Sequence, residues 1–153
     1  MELLKDRFAA CTGEDMDAFL ALSRMDVLEE APAGDPLPPD ESYATRELLY
    51  NDVLLDLYGK NYENRNLRKH YRELSGKLKA YGEKSPGCRE IFAAASLLAD
   101  FMTDKCWISS QLRKAYETGD RKTLKELADV ALPALIRKVE ALRAAWREQW
   151  FAY

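Results

Sequence analysis

The stretch ELLYNDVLLDLYGKNY, from Glu47 to Tyr62, is unusually rich in apolar residues for a single helix face. Its apolar positions are Leu48, Leu49, Tyr50, Val53, Leu54, Leu55, Leu57 and Tyr58, too many for a helix that covers one core and turns its other face to water. The pattern predicts a helix from about Tyr43 to Tyr58, closed by Gly59 at the position just past its end. Glu47, Asn51, Asp52 and Asp56 would form its polar stripe, and the competing reading makes Asn51 and Asp52 a buried polar anchor.

Elsewhere the spacing is more regular. Leu3, Leu4, Phe8 and Cys11 predict a short opening helix that ends near Gly13. Thr12, with Asp15 three residues on, is the expected N-cap of a second helix carrying Met16, Phe19, Leu20 and Leu22. Leu67, Tyr71, Leu74, Leu78 and Tyr81 step by four and three, a narrow seam on a helix over 61–81 that Gly82 and Ser85-Pro86-Gly87 would end. Ile91, Ala94, Leu98, Phe101, Ile108 and Leu112 mark one face of a long helix over 88–116. Phe92, Ala95, Met102, Cys106 and Trp107 widen it beyond a single stripe. The last helix opens at Asp120 or Arg121 and uses Leu124, Leu127, Ala131, Leu135, Leu142 and Trp146 as its core face. Pro133 lies inside it and predicts a kink, because proline lacks the N–H and crowds the carbonyl of Asp129.

No convincing alternating strand appears, and short turns join the last three helices, which favours antiparallel neighbours. The expected fold is all-α: an up-down antiparallel helical bundle with an irregular N-terminal helical arm. EEAPAGDPLPPDES, Glu29 to Ser42, holds four of the six prolines and reads as an extended surface loop. Residues 1–42 are then an arm packed on a bundle of residues 43–153, one domain in all.

Composition narrows the function classes. A net charge of −3 and a pI near 5.3 lack the basic footprint of a nucleic-acid binder. Three cysteines without a CxxC pair, and a single histidine, argue against a zinc site and against any metal or cofactor. Free thiols fit a reducing, cytoplasmic setting. The charged opening MELLKDRF is no signal peptide, and no apolar run reaches about 18 residues, so no membrane partner is expected.

Candidate chemistry is thin. Asp40-Glu41 is a carboxylate pair in a proline-rich loop, read as capping and solvated charge. His70, in RKHYREL, has no spaced nucleophile or carboxylate and reads as an exposed or half-exposed helix residue. Glu126, Asp129, Glu140, Arg143 and Arg147 are ordinary charged helix positions. Trp146, Trp150, Phe151 and Tyr153 crowd the C-terminus. Trp146 is expected in the core, whereas Trp150 and Phe151 are adjacent and cannot both face it. No phosphate loop, GxSxG or HExxH occurs, so no catalytic residue is assigned.

LALSRMDVLEEAP, ELLYNDVLLDLYGKN, HYRELSGKLKAYGEK and LIRKVEALRAAWREQW together resemble the C-terminal helical domain of a bacterial family 20 glycoside hydrolase, a β-N-acetylhexosaminidase. The likeness runs from about Ser23 to the end. It implies a piece of a longer enzyme, in which a separate (β/α)8 barrel hydrolyses terminal N-acetylhexosamine residues and the substrate's own acetamido group is the nucleophile. Asp40-Glu41 lacks the His and Gly context of that family's catalytic pair and is not assigned to it. The resemblance further implies that this domain is a non-catalytic buttress for the barrel. Leu49, Tyr50, Trp107, Trp150, Phe151 and Tyr153 are the candidate contacts, and uncovered apolar faces leave self-association open. The alternative is a free-standing helical interaction module.

Overall fold

The computed structural model describes residues 2–28 and 44–151, with side chains as far as Gln149. The proline-rich segment and Asp40-Glu41 lie outside the described residues. Among the described residues the chain is mainly helical, with no strand. Helix α1 spans Glu2–Thr12 and α2 spans Met16–Leu22, followed by a 3-10 turn, Ser23–Met25. Helix α3 is Ala44–Tyr50. Then come α4 (Leu67–Lys84), α5 (Arg89–Thr118), α6 (Arg121–Glu126) and α7 (Leu132–Phe151).

The centre of the molecule is the antiparallel pair α4–α5. Its apolar seam is the one the spacing predicts: Tyr71, Leu74 and Leu78 are buried, and Leu67 and Tyr81 pack half-buried against them. Phe92, Ala99, Met102 and Ile108 answer from α5. Ser75 and Ser96 meet across the pair, each hydroxyl donating to the other residue's carbonyl at 3.0 Å. Gly82 does not end α4. It is buried inside the helix, where a Cβ would stand 3.0 Å from that of Phe92, so glycine here lets the two helices approach closely. The stop falls instead at Ser85, where Pro86 opens a 3-10 turn, Pro86–Cys88. Gly119, left-handed at φ 69°, closes α5.

Helix α7 packs antiparallel on the other side of α5, where Lys138 reaches Asp100 at 2.8 Å and Asp104 at 2.6 Å. The disruption expected at Pro133 appears just ahead of it, as a π turn over Leu127–Ala131 in which the N–H of Leu132 bonds the carbonyl of Leu127. One extra residue in that turn absorbs the bond that proline cannot make. The arm docks through a ladder of rings: Phe8 on Phe19 and Phe19 on Phe92, each at 5.4 Å, with Tyr81 beside Phe92. Asp15, not Thr12, caps α2, accepting from the N–H of Asp17 at 2.8 Å, whereas the Thr12 hydroxyl turns back to donate to the carbonyl of Phe8 at 2.7 Å and accepts from the N–H of Glu14.

Candidate functional site

The largest departure from expectation lies in the stretch that is richest in leucine. A helix to Tyr58 was expected, but α3 stops at Tyr50. Asp52 causes the stop: its carboxylate accepts from the N–H groups of Leu54 and Leu55 at 2.8 and 2.9 Å, an Asx turn that offers the backbone an alternative to helix. Its pKa is held below the usual carboxylate range, chiefly by the bond from Leu55 and then by that from Leu54. Gly59 is not a helix end but opens a 3-10 turn, Gly59–Tyr62.

Asn51 and Asp56 are not part of a solvent stripe. They are 6% and 5% exposed, and the amide of Asn51 donates to Asp56 at 2.7 Å. The other oxygen of Asp56 meets Arg113 of α5 at 3.2 Å, and Arg113 also holds Glu63 at 3.1 Å. Asp56 sits at φ 45°, sparsely populated for a side chain with a Cβ, and the three-way clamp sustains it. A Cβ at Gly59 would run into the Asp56 carboxylate, so glycine is required by that close approach. Lys105, itself buried and lowered in pKa by that burial, donates to the carbonyl of Leu49 at the root of the loop.

Because the polar groups point inward, the apolar ones point out. Tyr50 is 78% exposed, Leu54 73%, Leu55 66% and Leu57 69%. Next to this loop runs a groove of about 600 Å³, with Ala94, Ala95 and Leu98 of α5 as its floor and Val139, Leu142 and Trp146 of α7 as one wall. Leu49 lines its other side, and Arg143 and Arg147 stand on the rim. Trp146, expected in the core, is half-exposed in this wall, whereas Leu127 and Leu135 are buried. Ile91 opens into the same groove rather than into the core.

Of the residues expected at an interface, Leu49 and Tyr50 come together at the root of the loop. Trp107 lies half-buried in the wall of a cavity behind it, with the Arg68 guanidinium 4.2 Å over its ring. The side chains of Trp150 and Phe151, and Tyr153 as a whole, fall outside the described residues. Sequence reasoning did not single out Leu54, Leu55 and Leu57, which the structure leaves exposed. Their signal was present in the run VLLDL, which fits no helical period once Asp52 is read as a turn residue.

No chemistry gathers elsewhere among the described residues. No group of His, Cys, Asp and Glu there could hold a metal, and no helix is long and apolar enough to cross a membrane. Burial pushes the thiol of Cys106 up to about 12, which makes it a packing side chain and a poor nucleophile. His70 is half-buried, its Nε2 bonded to the carbonyl of Arg24 at 2.8 Å, so it ties the arm to α4.

The helical bundle thus holds leucines and a tyrosine outward on a clamped loop. The chain belongs to the Glycoside Hydrolase 20C C-terminal domain family, whose model matches residues 17–153. No curated protein matches it.

Proposed function

We propose that the chain is the non-catalytic C-terminal domain of a β-N-acetylhexosaminidase, and that it buttresses a catalytic barrel belonging to the same parent protein. The observation that carries this reading is Tyr50, a large side chain 78% exposed in a member of a glycoside hydrolase C-terminal family, at the root of a loop that buried charges hold rigid. A tyrosine exposed to that degree on a fixed frame is suited to anchor a neighbouring surface. Trp107, on the flank of the same loop, is the second contact. The barrel removes terminal N-acetylhexosamine units, and the helical domain supplies rigidity alone.

Two measurements test it. The chain by itself is expected to release no phenol from an aryl N-acetyl-β-glucosaminide, and turnover at an enzymatic rate would overturn the non-catalytic role. In the parent enzyme, Tyr50→Asp is expected to lower the temperature at which activity is lost without changing KM. An unchanged inactivation temperature would remove the buttress.

A further inference from the structure

The loop and the groove lie on one face of one helix. The groove floor uses residues 91, 94, 95 and 98 of α5, spaced by three and four. The residues of α5 that fix the loop or line the cavity behind it, Lys105, Ser109 and Arg113, continue the same face, centred about 20 Å further along the axis. An apolar projection and an apolar trough thus stand end to end, and Leu49 joins them.

Their chemistry matches. The loop offers Leu54, Leu55 and Leu57 beside the exposed carboxylate of Asp52. The trough offers a floor of small alanines between apolar walls, with Arg143 and Arg147 on its rim, neither of them in an ion pair among the described residues. The loop cannot reach the trough of its own chain, because the Asp56–Arg113 pair pins it to the far half of α5. A second chain turned by a twofold axis across this face sets α5 against α5 antiparallel. Each loop then enters the other chain's trough, and every contact is made twice.

We infer that the occupant of the groove is the Leu54–Leu57 loop of a second copy of this chain, so that the domain forms a twofold dimer. Asp52 of each copy faces the arginine rim of the other. Tyr50 and Trp107, at the root and flank of the loop, remain for the catalytic barrel. A small polar rim around an apolar centre is the usual anatomy of such an interface.

Sedimentation of the purified 153-residue chain over a concentration series tests this. A monomer–dimer equilibrium is expected at micromolar concentration. Leu55→Asp in the loop and Val139→Asp in the trough, both at exposed positions, are each expected to weaken it at least tenfold, with helical circular dichroism unchanged. The decisive sample mixes the two variants. One pairing of intact loop with intact trough survives in the mixed dimer, so mixing should recover part of the association that each variant lacks alone. A monomer at all concentrations, or a dimer indifferent to both variants, overturns the inference. So does a mixture no tighter than its components. If instead the chain is monomeric and Leu55→Asp loosens the catalytic domain in the parent enzyme, the loop belongs to the barrel. The dimer can fail by these readouts while the non-catalytic role, tested by turnover, still stands.

Discussion

The seam of α4 and the loop that follows α3 draw on the same side chains, leucine and tyrosine, and send them in opposite directions. In α4, Tyr71, Leu74 and Leu78 fall at four- and three-residue steps, so one helix face gathers them and α5 covers them. In the loop, Leu54, Leu55 and Leu57 keep no helical step, and the groups that go inside are Asn51 and Asp56. What decides the direction is which polar group finds a partner. Along α4 the charged residues have water on the outer face. In the loop, Asp56 is paired by Arg113 and Asn51, so its burial is compensated and the leucines are displaced outward. Apolar content therefore says how much surface must be covered, and the buried polar pair says on which side the covering must come.

The sharpest way to break that comparison is one substitution made in both places. Leu78→Ala removes a side chain with no exposure and should cost about 2–5 kcal/mol in urea unfolding. Leu57→Ala, at 69% exposure, should stay within about 0.5 kcal/mol at concentrations where the chain is monomeric. Equal costs would mean that the loop packs on its own bundle, and the contrast would be lost. Next in size is the clamp. Asp56→Ala leaves Asn51 and Arg113 facing an empty position. A fully buried pair broken on one side costs about 3–5 kcal/mol. Arg113 is a quarter exposed and keeps Glu63, so about 2 kcal/mol is the expected loss here. Asp56→Asn keeps the shape and accepts φ 45°, so it should cost less, and the difference measures the charge. Limited proteolysis should cut Asp56→Ala first within 51–59. An unaltered cleavage pattern would show that the clamp does not hold the loop.

How far the fold was legible follows the same division. The α4 seam and the long α5 could be read directly, because in each the period and the packing agree. Gly82 misled because a glycine near a helix end looks like a stop, whereas its use here is the close approach of Phe92, a contact that no local pattern records. Trp146 misled because it keeps the right step along α7, yet nothing in the step tells that it lines an open groove instead of the core. The loop was least legible. Its orientation rests on Arg113, which lies 57 positions from Asp56 along the chain, and single-residue patterns carry no information at that range. That the stretch around Leu49 and Tyr50 holds more apolar residues than one helix face can bury was readable from the sequence alone. Which of them the fold leaves exposed was not.

The smallest expected effect sharpens the comparison from the side of α4. His70 sits one step off the seam, and burial, ahead of every other cause, holds its imidazole below the ordinary 6.5. The bond to the carbonyl of Arg24 works the other way and is outweighed. The unfolded chain takes up its proton near 6.5, and the folded chain only at lower pH. Between those two values the unfolded state binds more protons, so acidification favours unfolding. The contribution is complete above about pH 7.5 and is lost as the pH falls below 6.5. The midpoint temperature should therefore drop modestly between about pH 7.5 and pH 5.5, and His70→Gln should flatten that slope. An equal slope in the variant would place its origin elsewhere. His70 is the only histidine in the chain, and none of the groups on the loop or on the rim of the groove ordinarily titrates in this window. Self-association should accordingly hold steady over the range in which the tie between arm and α4 weakens, which separates the two regions by pH alone.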